Sequence, residues 1–271
     1  MINGDTGLVG LLGNPVRHSL SPAMHNAAFA ALGIDAEYRA LAVEPQDLAS
    51  AITDLRAQNI LGASVTVPHK TAVIEHCDSL SVSAQAIGAV NTLEFRPDGS
   101  ICGHNTDAPG FVKALEDASG VELSGRRALL LGGGGAARAV AHGLKEAGVQ
   151  DLRVVVRTPS KIDWIDAEPW EEATLIEALR ECELLVDCTS IGLDAEREAQ
   201  IPAAIPLQEM PPGAIVSTLV YHRETALLSE ASALGLATVD GSGMLLFQGV
   251  VAFEIWTGQP APVEAMRAAL L

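Results

Sequence analysis

Along most of the chain, short aliphatic runs alternate with longer stretches whose apolar positions recur at helical spacing. That is the pattern of βαβ units built around a largely parallel sheet. Leu8 to Leu12 reads as a first strand. Ser21-Pro22 then offers a cap with proline at the first helical position, and Met24, Ala27, Ala28, Ala31 and Leu32 keep one apolar face as far as Gly33. A second strand is predicted around Tyr38 to Val43. It leads to a helix from Pro45 to Gln58 with an apolar stripe of Leu48, Ala51, Ile52 and Leu55. Ile60 to Val67 is strand-like and ends at Pro68. Asn91 to Phe95, the turn Pro97-Asp98-Gly99 and Ile101 to Gly103 predict an antiparallel hairpin.

After Asp107 a helix is predicted to about Ser119, with Asp107 as its cap, and the texture then changes. Ala128 to Leu131, Leu152 to Val156, Leu184 to Cys188 and Ala214 to Thr218 are short and mainly apolar, as strands buried on both faces should be. Residues 194–212 are rich in Pro and Ala and read as connecting loop. From Gly241 the pattern is helical through Thr257, with a short last helix after Pro262 that should pack back on the first unit. The expected division is a first domain of residues 1–106 and 241–271 and a second of residues 107–240.

Composition narrows the function classes. The 271 residues are 48% hydrophobic, 19% charged and only 4% aromatic, so small aliphatics must fill the cores of a globular protein. The 34 acidic against 17 basic residues give a net charge of −17, which works against phosphate backbones and anionic lipid surfaces. Nucleic-acid and membrane partners are therefore not expected. No apolar run approaches the roughly 20 residues of a membrane span, and Met1 to Asp5 lacks the layout of a signal peptide, so a cytoplasmic protein is expected. Cys77, Cys102, Cys182 and Cys188 form no C-x-x-C pair and read as free thiols. The seven histidines show no zinc spacing, and a metal cofactor is not implied.

The strand Leu129-Leu130-Leu131 runs directly into Gly132-Gly133-Gly134-Gly135-Ala136-Ala137, a G-x-G-x-x-A turn ahead of an Ala-rich helix. Gly132 permits the tight turn, Gly134 lets backbone approach a pyrophosphate, and Ala137 lets helix and strand pack closely. An NAD site ordinarily ends the next strand with a carboxylate about 20 positions after the first glycine. This chain instead has Arg157 and Thr158 there, with Lys161 beyond. Two cations and a hydroxyl suit the 2′-phosphate of NADP.

Reduction of a ketone by a nicotinamide needs a group to handle the hydroxyl proton. Lys70, just past a strand end in Val65-Thr66-Val67-Pro68-His69-Lys70, is one candidate, and Asp107 at the start of the next unit is another. Taken singly, each has a plainer reading as a surface charge or a helix cap.

Five separated motifs then carry a family resemblance: Ser19-Leu20-Ser21-Pro22, Val65 to Lys70, Gly88-Ala89-Val90-Asn91-Thr92, Asn105-Thr106-Asp107 and Gly241-Ser242-Gly243-Met244-Leu245. In this order and spacing the chain resembles shikimate dehydrogenases over its whole length. The resemblance implies two α/β domains, one substrate-binding and one a Rossmann-type NADP-binding domain, with C-terminal helices returning to the first and substrate in the cleft between them. It implies NADP-dependent reduction of 3-dehydroshikimate to shikimate in aromatic amino-acid biosynthesis, by a monomer or homodimer. By the same resemblance Lys70 and Asp107 are the catalytic pair, and either could exchange the proton. Ser19, Ser21, Ser64, Thr66, Asn91, Tyr221 and Gln248 match substrate contacts. Gly132, Gly133, Gly134, Gly135, Ala136, Arg157, Thr158, Lys161, Leu219 and Gly241 match the cofactor site. The chain departs from the family at Ser64, usually Asn, and at Val156, where the family has Asn-Arg-Thr. Quinate or aminoshikimate oxidation and a non-catalytic NADP sensor are the alternative readings; retention of both Lys70 and Asp107 argues against the sensor.

Overall fold

The computed structural model describes residues 6–58, 60–193, 195–198 and 205–271. The expectation for Met1 to Asp5, and the parts of the 194–212 loop at 194 and 199–204, lie outside the described residues. The chain divides into two compact units, one running to Gly110 and resuming at Leu246–Leu271, the other formed by Phe111–Leu245.

In the first unit β1 (Gly7–Gly13), α1 (Ser21–Leu32), β2 (Ala36–Ala42), α2 (Leu48–Arg56) and β3 (Ile60–Val65) form a parallel α/β core. Next come β4 (Ser79–Leu80), α3 (Val82–Ile87), and the hairpin of β5 (Thr92–Phe95) and β6 (Ile101–His104). The sheet order is β2-β1-β3-β5-β6-β4, with β5 antiparallel to both of its neighbours. Two short elements were not legible beforehand: β4 has only two residues, and α3 is a six-residue helix held by its ends. Ser81 Oγ accepts from Ala84 N–H at its start, and Gly88 takes a left-handed conformation at its end.

Local chemistry explains several boundaries. α1 stops at Gly33, whose φ of 66° is easy for glycine alone. The predicted helix from Pro45 begins instead as a 3₁₀ turn, Pro45–Asp47, and becomes α-helical only from Leu48. The α1 cap also needs correction. The residue before the helix is Leu20, which makes no side-chain cap; Ser21 lies inside the first turn and its N–H donates to Ser19 Oγ at 3.2 Å. Asn26 then ties α1 to β2, since its amide donates to the Tyr38 carbonyl and accepts from the Tyr38 N–H at 3.1 and 2.8 Å.

One face of this sheet packs Leu12, Ala63, Val65, Leu93 and Ile101 against Ile52 and Leu55 of α2. The other carries Phe29, Tyr38, Phe253 and Trp256, an aromatic group in a chain with few aromatics. Trp256, from the returning C-terminal segment, donates its indole N–H to the Leu93 carbonyl at 3.0 Å. It lies so close to Gly62 that a Cβ there would sit 2.1 Å from the indole ring.

The second unit follows β7 (Arg127–Leu131), α5 (Gly135–Glu146), β8 (Asp151–Val156), β9 (Glu168–Pro169), α6 (Glu172–Arg180), β10 (Leu184–Asp187), the single turn α7 (Ala195–Glu198), β11 (Ile215–Thr218), α8 (Ala226–Ala233) and β12 (Ala237–Val239). All its strands are parallel, in the order β12-β11-β10-β7-β8-β9. This is the doubly wound order of a Rossmann-type unit, reversing direction between β7 and β10. Alternation along β7 sends Leu129 and Leu131 to one core with Leu175 and Leu179, and Leu130 to another with Val140 and Leu144. Both faces being covered explains the mainly apolar runs. Helices α4 (Asp107–Ser119) and α9 (Ser242–Thr257) carry the chain across the division, and α10 (Val263–Ala268) packs on α1 in the first unit.

Candidate active site

Parallel pairing of β1 with β3 puts their carboxyl ends at the same edge of the sheet. Because β5 runs back against β3 and β6 runs back against β5, the start of β5 and the end of β6 arrive at that edge too. Four segments therefore converge: the loop with Ser19 and Ser21, the stretch Ser64 to Lys70, Asn91 ahead of β5, and Asn105 to Asp107 after β6. Backbone bonds lock them, with Thr66 N–H on the Leu12 carbonyl, Val65 N–H on Asn91, Asn91 N–H on His104 and Val90 N–H on Lys70.

At this edge the Lys70 ammonium donates to Asp107 Oδ2 at 2.7 Å. The side chains are 21% and 7% exposed, so the pair is shielded but open enough on the lysine side to meet a ligand. Asp107 Oδ1 is held separately by the Asn91 amide at 2.9 Å. Asn91 also donates to Thr106 Oγ1 at 2.9 Å, while its Oδ1 accepts from the Thr106 N–H at 2.7 Å and from the Thr92 hydroxyl at 3.1 Å. A buried carboxylate with both oxygens occupied by donors has a fixed direction.

Asp107 is not the cap of α4. That task falls to Asn105, whose Oδ1 accepts from Ala108 N–H at 3.3 Å and whose amide donates to the Ala89 carbonyl at 3.0 Å. The short amide two positions earlier frees the carboxylate for Lys70. Thr92, Asn105 and Thr106 thus belong to the site, although within their motifs no role distinguished them. Their signal was polarity at buried strand ends, Thr92 beside Asn91 and Asn105-Thr106 ahead of Asp107, where apolar residues would be ordinary.

Behind this edge lies a buried aromatic cage. The His25 ring stacks on Tyr38 at 4.6 Å with Trp256 at 5.2 Å, and among the described residues neither ring nitrogen has a hydrogen-bond partner. Complete burial lowers its pKa to about 3, so it is neutral. The Tyr38 hydroxyl is pushed up by burial; it faces the hydroxyls of Ser64 and Ser21 without settling into a hydrogen bond of ordinary geometry. Gln248 lies on α9 in the same unit, its backbone so near Gly110 that a Cβ there would be 2.5 Å from the Gln248 nitrogen. Tyr221 belongs to the second unit, three residues after β11.

In that second unit the glycine turn joins β7 to α5. Gly132 has φ of 99°, and a side chain there would crowd Thr189 at 3.1 Å. Gly134 is the residue ahead of α5 and makes no side-chain cap, so first-turn N–H groups remain available. Among the described residues, nothing stands within 4 Å of the Cβ positions of Gly134 and Gly135. An open cradle of backbone donors at a helix start fits a dinucleotide pyrophosphate. Arg157, Thr158 and Lys161 are exposed just beyond β8, with Lys161 on a 3₁₀ turn. Gly241 packs on Leu219 so closely that a Cβ would lie 2.2 Å from the Leu219 carbonyl oxygen. The cofactor candidates thus gather at the carboxyl ends of β7, β8 and β11. All four cysteines are free, and no described helix is long and apolar enough to cross a membrane.

The chain is similar to known proteins along its whole length. Residues 11–93 match the shikimate dehydrogenase substrate binding domain family, and residues 241–271 match the shikimate 5′-dehydrogenase C-terminal domain family. The chain is 42% identical to the shikimate dehydrogenase (NADP(+)) of Methanopyrus kandleri, over 100% of this chain and 97% of that one. It is 44% identical to the enzyme of that name from Rubrobacter xylanophilus, over 99% and 97%. Among solved structures, shikimate 5-dehydrogenase from Thermus thermophilus in complex with NADP(H) and shikimate superposes with a TM-score of 0.84 at 38% identity, covering 97% of this chain and 98% of that one.

Proposed function

The chain belongs to the shikimate dehydrogenase family and is an NADP-dependent oxidoreductase interconverting 3-dehydroshikimate and shikimate; we propose that Lys70 and Asp107 are its catalytic pair. When bound, the reduced cofactor supplies a hydride to the carbonyl carbon. Lys70 supplies the proton: its ammonium donates to the oxygen on which negative charge develops, and in the reverse direction the amine accepts the hydroxyl proton. One of the three ammonium N–H groups is committed to Asp107, which leaves donors for substrate. Asp107, immobilised by Asn91, holds the lysine in place and hydrogen-bonds the same hydroxyl region.

Ser19 and Ser21 hold the substrate carboxylate, helped by the positive end of α1, with Ser64, Thr66, Asn91, Tyr221 and Gln248 around the ring substituents. Residues Gly132 to Ala136, Arg157, Thr158, Lys161, Leu219 and Gly241 hold NADP, Arg157 and Lys161 facing its 2′-phosphate. The first unit serves substrate and the second serves cofactor, in the cytoplasm, in a monomer or homodimer without nucleic-acid or membrane partners; the net charge of −17 supports the last point.

The carrying observation is the 2.7 Å contact between Lys70 and a carboxylate already anchored on its other oxygen. The test is a panel of shikimate, quinate and aminoshikimate with NADP and NAD. Shikimate with NADP should give the highest kcat/KM, read as near-ultraviolet absorbance of reduced nicotinamide. No turnover on shikimate would overturn the reading.

A further inference from the structure

We propose that the β5–β6 hairpin carries a Zn(II) site, apart from the catalytic cluster, with Glu94, Cys102 and His104 as its three protein ligands. Antiparallel register sets Glu94 directly opposite Cys102. His104 follows two residues along β6, so pleating returns it to the same face. One carboxylate oxygen, one sulfur and one imidazole nitrogen thereby lie within 4.8 Å of one another. A tetrahedral zinc ion with bonds of about 2.0–2.3 Å needs its donors roughly 3.3–3.8 Å apart, a spacing side-chain torsions can reach with the strands left in place.

The residue types select the ion. A thiolate with an imidazole and a carboxylate suits borderline-soft zinc, whereas calcium and magnesium call for oxygen donors throughout. Thiolate and carboxylate together carry two negative charges, matching the cation, with histidine neutral. Cys102 forms the floor at 3% exposure, and its thiol makes only a long 4.0 Å contact to the Gly103 carbonyl. Glu94 and His104 form the rim, 28% and 21% exposed, which leaves the fourth position open to water.

Two contacts compete with the ion. The His104 ring nitrogen hydrogen-bonds Glu94 Oε2 at 2.9 Å, and Arg96 lies 3.3 Å from the same oxygen. Neither is a barrier. His104 and Glu94 would exchange their mutual bond for the ion, and Arg96, 40% exposed, already reaches toward Ser79 Oγ at 3.5 Å. The site escapes sequence spacing rules because its donors are joined through a hairpin turn rather than along one helix or knuckle.

Titration of the full-length chain with Co(II) as a spectroscopic substitute, followed by Zn(II), tests the site without reference to dehydrogenase activity. One equivalent of Co(II) should give a sulfur-to-cobalt charge-transfer band and intense tetrahedral d–d bands, both abolished by Zn(II). Cys102→Ser should remove the charge-transfer band, whereas Cys77→Ser should keep it. Loss of even an outer-shell partner weakens metal binding about 10–100-fold. Glu94→Gln, at the solvent-facing rim, should therefore weaken zinc at least about tenfold by calorimetry while leaving the circular dichroism spectrum unchanged. A band that survives Cys102→Ser, affinity unaltered by Glu94→Gln, or no binding at one equivalent overturns the proposal.

Discussion

The ammonium of Lys70 meets Asp107 Oδ2 at 2.7 Å across 37 positions of sequence. Neither residue could be told from an ordinary surface lysine or helix cap by itself. What joins them is strand direction: β3 delivers Lys70 and β6 delivers Asp107 to one sheet edge because β5 between them is reversed.

Removing the ammonium should slow chemistry and leave the fold intact. Lys70→Ala should lower kcat on shikimate about 10²–10⁴-fold, the usual range for general acid–base catalysis. Asp107→Asn should also lower kcat, because a neutral amide no longer attracts the ammonium. Steady-state kinetics with circular dichroism as a folding check decides; wild-type kcat in Lys70→Ala would exclude the assigned role.

Asn91→Ala should act on both stability and rate. It strips Asp107 Oδ1 of its donor and orphans the buried Thr106 N–H, which costs about 1–3 kcal/mol. Chemical denaturation should register that loss, and kcat should drop even at saturating substrate.

His25 makes acid stability predictable in sign. Its folded pKa, about 3, lies below the ordinary 6.5, so the unfolded chain binds the extra proton. This contribution to stability is fully present above pH 6.5 and is lost as pH falls toward 3, amounting to about 2 kcal/mol by pH 5. His25→Phe should flatten the stability profile between pH 7 and 5 in urea titrations. An unchanged slope would mean that the ring is not neutral in the native state.

Gly62→Ala should be poorly tolerated, since its Cβ would press into the Trp256 indole at 2.1 Å. Overpacking of this kind costs about 1–3 kcal/mol. Thermal unfolding should show a lower Tm, with the midpoint restored in part by the double variant Gly62→Ala/Trp256→Leu.

Cofactor choice should be separable from chemistry. A charged hydrogen bond contributes about 1.5–3 kcal/mol, so Arg157→Ala should raise KM for NADP about 10–100-fold. KM for NAD should move little, because NAD has no 2′-phosphate. Equal losses on both cofactors would place Arg157 elsewhere.

Much of this was readable beforehand where one physical rule dominates. The parallel second sheet followed from apolar runs that only a doubly covered strand can carry, and the glycine turn from its place between strand and helix. The hairpin followed from Pro97-Asp98-Gly99. Short elements stayed hidden because two residues of β4 or six of α3 hold too few positions to show a period. Ser21 and Asp107 were misjudged as caps for one reason: capping residues are chosen by backbone geometry, and Ser19 and Asn105, two positions earlier, supply the local bonds. The cage around His25 joins α1, β2 and α9, and no window of sequence contains all three.

The return of Leu246–Leu271 to the first unit sets an order of events during synthesis. The Phe111–Leu245 unit is continuous and can fold as it leaves the ribosome. The first unit must wait, its sheet missing Trp256 and Phe253, until translation has delivered the intervening residues, roughly 7–27 s at about 5–20 residues per second. For that interval the nascent chain exposes one greasy sheet face, which makes it a natural client for chaperones that shield such surfaces.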